Sequence, residues 1–461
     1  MRRWREALLG VLVLLAAGGS VLVQGLLGGR VRGRAGERAN VVLITIDAMR
    51  ADRLSASGYH RNTTPFIDSV AREGVRFTRA YSVSSWTAPS LASLMTGVLP
   101  TVHGVLHGSF RVGAVRGQEV IPDALVRWPE MMRGAGYSTY GITANGHLHS
   151  RFGFARGFDR YRCLGFSSAR RVCKVLGEWR DEIRRSEPYF LWVHLLDPHG
   201  PYRANEPWFS EYRAGRGHRP ELEQVSPVRN YLHKLGLASR EDERLEYVVA
   251  LYDSEVAYSD SVVRELVAEL GLDGDDLLLI SADHGEEFLD HEGFGHGRTL
   301  YEESIRVPLV VRLPHRRLAG TVVDAPVSLL DLPPTVLELI GAETPARWDG
   351  RSLAPLLEDR ASAAAPIYAH LSRGGELRGL IDGAWKYIYL PRQPADSELY
   401  DLAADPLERS DLAGERRPRV GAMRRQLIER SVSLARRRHT PARATLTPEQ
   451  VEALRSMGYV E

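Results

Sequence analysis

Apolar positions along the chain fall into short unbroken runs separated by longer amphipathic stretches. Val41–Thr45 (VVLIT), Leu277–Ser281 (LLLIS) and Val307–Val311 are continuous and rich in β-branched or leucine side chains, the pattern of strands buried on both faces of a parallel sheet. Tyr189–Val193 (YFLWV) has the same texture. A helix is predicted from about Thr64 to Glu73, and a long one ends near Leu270. Helices between buried strands indicate an α/β, doubly wound, mostly parallel central sheet. Residues 203–244 are polar with Pro and Gly and read as an insertion near the substrate face. From about Pro366 the pattern changes to short β-type runs such as WKYIYL (385–390). An arginine-rich helix follows near Met423 to Arg438. The expected organisation is therefore an N-terminal segment (1–35), a catalytic domain (36–365) and a smaller C-terminal α+β subdomain (366–461). No internal repeat is visible.

Arg2, Arg3 and Arg5 precede 23 residues without a charge, Ala7–Gly29. A bilayer needs about 20 apolar residues, so this segment is expected to act as a membrane anchor or a secretory signal. The rest of the chain would then be exported, with its catalytic domain outside the cytoplasm. A chain of 461 residues, 44% hydrophobic and 26% charged, excludes a disordered protein. Sixty basic against fifty-eight acidic residues, a net charge of +2, exclude nucleic acid as the main partner. Cys163 and Cys173 are too few for a cysteine metal cluster; they either pair or remain free thiols.

Open α/β sheets bind ligands at the carboxyl ends of their strands. Asp47 stands at the end of the first strand, and Asp283-His284 at the end of LLLISA. Mixed carboxylate and imidazole ligands suit zinc, whereas calcium prefers oxygen alone. In WTAPSLASLMTG (86–97), Pro89 suits the first turn of a helix and Gly97 its end, so Thr87 falls just before a helix N-terminus, where N–H groups favour an anion. An ordinary helix cap is the commoner role of a lone Thr; metal coordination would make its hydroxyl a nucleophile. Histidines recur in short polar segments: His194 and His199 in HLLDPHGPY, His147 and His149 in ITANGHLHS, and His296 twelve residues after His284. Together with the aspartates they point to a metal-bound anion site.

VVLITIDAMRADRL, TAPSLASLMTGVLPTVHGV, FLWVHLLDPHGPY, ISADHGEEF and HGRTLYEESIRVPLVVR occur in this order, and the tail adds ELYDLAADPLERSDLA and LTPEQVEALRSMGYV. The chain so resembles the sulfatase family of the alkaline phosphatase superfamily, from about residue 40 to its last residue. The resemblance implies a hydrolase of sulfate or phosphate esters, with metal ligands at Asp47, Asp283 and His284 and the nucleophile position at Thr87. It also implies contact of His199 and His296 with the transferred group or a second metal, and a place for His147 in the anion pocket. Ala48 stands where the family usually has a second metal-binding aspartate, and Thr87 where it has the Cys or Ser that becomes formylglycine. Leu91 replaces the signature arginine, and Asn145 a pocket lysine. Oxidation of a threonine would give a ketone, so Thr87 cannot become formylglycine. A sulfated threonine also lacks the second hydroxyl that expels sulfate by elimination, whereas a phosphothreonine can be hydrolysed by metal-bound water. Asp47, Thr87, Asp283 and His284 with His194, His199 and His296 are similar to the set of zinc phosphodiesterases and phosphoethanolamine transferases. One or two divalent ions are expected, zinc or manganese before calcium, with Thr87, His194 and His296 counted among the ligands. A transferase to a lipid or glycan shares these ligands, but its usual several membrane spans are not seen here. A catalytically dead binding homologue, suggested by Ala48 and Leu91, is disfavoured by the retained Asp283-His284 pair.

Overall fold

The computed structural model describes residues 38–457, apart from 108, 113–114, 358–364, 374 and most of 214–241. The predicted N-terminal anchor and most of the polar insertion lie outside the described residues. Among the described residues, no helix is long and apolar enough to cross a membrane.

The continuous apolar runs form the centre of one nine-stranded sheet. Its strands are β1 (Val41–Ile46), β2 (Val75–Tyr81), β3 (Ser138–Thr143), β4 (Arg160–Cys163), β5 (Tyr189–Leu195), β6 (Leu277–Ala282), β7 (Arg306–Arg312) and β8 (Thr321–Val323). They lie in the order β8-β2-β7-β6-β1-β5-β3-β4, and the short strand Val327–Ser328 also pairs with β2. β1, β5 and β6 are buried at every residue, as a sheet covered on both faces requires. β1 runs parallel to β5 and β6. The run at 307–311, expected to be a further core strand, is β7, and it lies antiparallel to both β6 and β2. The sheet is thus mixed but mostly parallel.

Helices α1 (Pro65–Glu73), α3 (Ala169–Arg185) and α4 (Glu243–Leu270) pack as one group, α1 and α3 each against α4. Helix α2 (Thr87–Thr96) packs instead with Trp128–Gly134 and Leu332–Ile340. The amphipathic α3 buries Val172, Val175, Leu176, Trp179 and Ile183, spaced three and four apart as one face of a helix demands. Pro65 opens α1, and Gly97, in the left-handed conformation, closes α2, each where its backbone freedom fits best.

The change of texture near 366 corresponds to a four-stranded antiparallel sheet, β9 (Ile367–Leu371), β10 (Leu377–Asp382), β11 (Trp385–Tyr389) and β12 (Glu398–Asp401), followed by α6 (Arg417–Ala435). Lys386, a strand residue, is fully buried in β11. Its Nζ lies 3.1 Å from Glu302 Oε1 and 2.9 Å from Glu408 Oε1. Glu302 opens the short helix α5 (Glu302–Ile305), so this charge cluster ties the small sheet to the catalytic half. Burying charges is costly unless each is paired. Lys386→Met should therefore destabilise the protein by about 3–5 kcal/mol, because Glu408 would stay buried without its cation and Glu302 would keep only Arg306, 3.2 Å away; urea unfolding followed by circular dichroism reads this directly. Cys163 and Cys173 are both free thiols.

Candidate active site

Strand alternation and parallel register deliver the site residues to one edge of the sheet. Thr45 of β1 lies level with His194 of β5 and Ser281 of β6, and Thr143 of β3 lies level with His194. Asp47, Asn145 and Asp283 follow just beyond the strand ends, all fully buried. Asp47 N–H still donates to Leu195 O at 3.0 Å, which holds the turn against the sheet. Ala48 then takes the left-handed conformation, φ 55°, and its N–H donates to Asp283 Oδ1 at 3.2 Å. A non-glycine residue there is strained, and the strain places the two aspartates side by side.

Thr87 is the first residue of α2 rather than the residue before it; Trp86 occupies the cap position and makes no side-chain cap bond. The Thr87 hydroxyl is not spent on the helix. It lies 3.3 Å from His284 Nε2 and 3.5 Å from Asn145 Nδ2.

His284 Nδ1 faces Gly285 O at 2.8 Å, so Nδ1 carries the proton and Nε2 presents a lone pair. That lone pair faces Asp47 Oδ1 and Asp283 Oδ2, each at 3.5 Å. Neither carboxylate oxygen has a hydrogen-bond partner among the described residues, although both are buried. Two buried carboxylate oxygens and this nitrogen converge with the single Thr87 hydroxyl as their nearby side-chain donor, and a divalent cation is the group that would satisfy all three. Their ligand atoms lie within 4.8 Å of one another. The residues present therefore fit a metal.

His194 is placed differently from the expectation that it is a ligand. Its Nε2 lies 3.2 Å from Asp47 Oδ2 and its Nδ1 2.8 Å from Thr45 Oγ1, and Thr45 also accepts from Trp192 Nε1. His194 thus supports Asp47 from behind, and Asn145 Nδ2 donates to the same oxygen at 2.6 Å. Burial alone would raise the Asp47 carboxyl, but His199, His194 and His284 outweigh it and hold that carboxyl below its usual range. Asp283 lies well above its usual range, through burial and the nearby Asp47 charge. Two adjacent acids pushed apart in this way mark a functional site.

His296 stands with His284 and His199, ring centroids 4.4 and 4.9 Å away. Its Nδ1 lies 2.9 Å from Glu286 Oε1, and Glu286 Oε2 accepts from Tyr202 Oη at 2.8 Å. His199 Nδ1 faces Gly200 O at 2.6 Å. Both imidazoles are thereby fixed through Nδ1. Burial lowers His199 to about 4 and His296 well below its ordinary value, which keeps them neutral. His147 Nδ1 lies 3.0 Å from Gln118 Oε1, and its ring stands edge-on to Trp86 at 5.3 Å; burial brings it to about 3. His149 is not part of the centre: its Nδ1 accepts from Arg151 N and caps the turn Ser150–Phe152. Leu91 is buried within α2. Gln118, Tyr202 and Glu286 were not read as site residues from the sequence, although Tyr202 closes HLLDPHGPY and Glu286 stands two residues after His284, both inside segments already singled out.

The sulfatase family model matches residues 39–342, two thirds of the chain and every residue of this centre. The chain belongs to the sulfatase family. A second model, N-sulphoglucosamine sulphohydrolase C-terminal, matches residues 290–436. The choline-sulfatase of Rhizobium meliloti is 26% identical over 440 residues, covering 82% of each chain. The multifunctional alkaline phosphatase superfamily protein PehA of Trinickia caryophylli is 28% identical over 496 residues, covering 86% of this sulfatase-family chain and 95% of its own. The crystal structure of a phosphonate monoester hydrolase of Agrobacterium radiobacter superposes with a TM-score of 0.67 at 21% identity, over 89% of this chain and 100% of that one. The fold is thus alkaline phosphatase-like, and the family is one of sulfate- or phosphate-ester hydrolases.

Proposed function

We propose that this sulfatase-family hydrolase uses Thr87 as its nucleophile, with a divalent metal held by Asp47, Asp283 and His284, and that its ester is a phospho-ester. The observation that carries the reading is the Thr87 hydroxyl standing 3.3 Å from His284 Nε2, beside the two unpaired aspartate oxygens. When bound, the metal lowers the pKa of a coordinated hydroxyl and offsets charge on the ester oxygens. Thr87 Oγ1 forms a bond to phosphorus as the bond to the leaving alcohol oxygen breaks, and the hydroxyl's proton ends on that alcohol; water then displaces Thr87 from phosphorus, and the threonine oxygen takes up a proton to regenerate the hydroxyl. His199 and His296, neutral and fixed through Nδ1, accept and return the proton of the attacking water. The phosphonate monoester hydrolase with the same fold, and PehA, are consistent with phosphorus as the reacting atom. Zinc or manganese suits the mixed ligand set better than calcium. Export, with an N-terminal anchor at Ala7–Gly29, rests on the uncharged run alone.

The test is turnover of matched aryl phosphate, phosphodiester and sulfate esters by the full chain, reconstituted in turn with zinc, manganese and calcium. Phospho-ester turnover with zinc or manganese is expected. Sulfate turnover with calcium as the best combination would overturn the phospho-ester reading and leave the family intact.

His194 gives a second expectation. As a support for Asp47 and not a ligand, His194→Ala should weaken metal binding by about 10–100-fold without abolishing it. Calorimetric titration with zinc measures this, and a complete loss would instead make His194 a ligand.

A further inference from the structure

The loop joining β9 to β10 carries Arg373 from the C-terminal sheet to the catalytic centre. It is fastened there by three contacts: His370 N–H donates to Val83 O at 2.8 Å, Thr101 Oγ1 lies 3.0 Å from His370 Nδ1, and Ser372 Oγ lies 3.3 Å from His107 Nε2. The Arg373 guanidinium lies over the ring of Trp86, its Cζ 5.0 Å from the centroid. Trp86 immediately precedes Thr87. On the other side of Arg373 is Gly297, which follows His296. Gly297 has φ +75°, and a Cβ there would lie 3.4 Å from both Arg373 Nη1 and Trp86 Cβ. A glycine at this position therefore leaves the room in which the guanidinium lies, between the neighbour of the nucleophile and the neighbour of His296.

The charge balance gives this placement meaning. Asp47, Asp283 and Glu286 are the acids of the centre, and the imidazoles of His147, His199 and His296 are buried with them. Arg373 is the guanidinium whose charge reaches both His147 and His296. A guanidinium held over an indole is pre-positioned, and its planar set of N–H donors matches a carboxylate in a two-point contact.

We propose that Arg373 selects esters whose organic part carries a second anionic group, a carboxylate above all, and that the natural substrates are esters of this class. The proposal deepens the ester-hydrolase reading and rests on it for the position of the reacting group. An ester held at Thr87 extends outward past Trp86, and its distal anion meets the guanidinium; an uncharged organic part makes no such contact.

Binding separates this proposal from the chemistry. In full-chain protein carrying Thr87→Ala and loaded with zinc, calorimetry compares phenyl phosphate with 4-carboxyphenyl phosphate, and phenyl sulfate with 4-carboxyphenyl sulfate. The carboxylated member of a pair should bind about tenfold tighter or more, as two charge-assisted hydrogen bonds imply. Arg373→Ala should reduce the difference below threefold while leaving the uncarboxylated ester unchanged, and Arg373→Lys should restore part of it. Discrimination below threefold in the parent, binding of no ester at all, equal loss for both esters, or loss on Arg298→Ala instead of Arg373→Ala would each overturn the proposal. Turnover of the same pairs with Thr87 intact then judges the chemistry separately: discrimination in binding without turnover would sink the hydrolase reading and leave Arg373 in its role.

Discussion

Thr87→Ala is expected to reduce turnover by about 10⁴-fold or more, the scale seen when a covalent nucleophile is removed, while the protein keeps its fold and its metal. The side chain makes no helix-capping bond, so its loss should leave α2 unchanged. The hydroxyl's contacts with His284 Nε2 and Asn145 Nδ2 are both long, at 3.3 and 3.5 Å, so little native stability depends on them. Thr87→Ser restores the hydroxyl at the same helix position and should recover most of the activity. Steady-state kinetics on an aryl phosphate, with melting curves for each variant, checks all three statements. Activity within tenfold of the parent in Thr87→Ala would place the nucleophile elsewhere.

Asp283→Asn carries the other large effect, and its sign depends on the metal. In the metal-free protein the Asp283 carboxyl lies well above its usual range because it is buried and faces Asp47. A group whose folded pKa is raised contributes stability below its unfolded value, and that contribution is lost as pH rises through the folded value. The metal-free protein should therefore melt at lower temperature as pH climbs above the ordinary carboxylate range. Glu286, pushed up to about 7, and Glu287, pushed up to about 8, both chiefly by burial, act in the same direction. Asp47 is depressed instead, so its contribution is fully present above its unfolded value and adds no slope near neutrality. Asp283→Asn removes one source of the slope, so at pH 8 the metal-free variant should melt about 2 °C higher or more. Zinc should reverse the order: the parent gains stability by binding it, and the variant gains little and loses more than about 100-fold in turnover, beyond what loss of a supporting residue costs. A variant that melted lower than the parent without metal would show that the two aspartates are not in conflict.

The sheet was legible because VVLIT, YFLWV and LLLIS are unbroken apolar runs, and a strand buried on both faces leaves no other pattern. The direction of β7 was not, since an apolar run reads the same in either sense and only the connection decides it. Asp47, Asp283 and His284 were visible as polar residues placed directly after such runs. The difference between ligand and support at His194 was hidden, because it depends on Thr45, a residue of another strand brought level with it by parallel register. Gln118, Tyr202 and Glu286 act through pairings between segments far apart in sequence, and no spacing encodes those. Thr87 was correctly placed at a helix start but one residue early, because Pro89 marks the first turn and not its first residue.

The lysine between Glu302 and Glu408 belongs to a wider clamp. His291 Nε2 lies 2.9 Å from Glu408 O, and Arg409 Nη1 donates to Asp290 O at 2.9 Å. Glu302 N–H donates to Glu408 Oε2 at 2.7 Å and Lys386 pairs with Glu302, so the segment that carries His296 is gripped at both ends by residues of the C-terminal part. During synthesis the sheet and its aspartates emerge first, together with Glu286, against which His296 rests, but the outer grip on this segment forms only once residue 409 has left the ribosome. The clamp around this segment is thus a late addition, made only after the small C-terminal sheet has been synthesised.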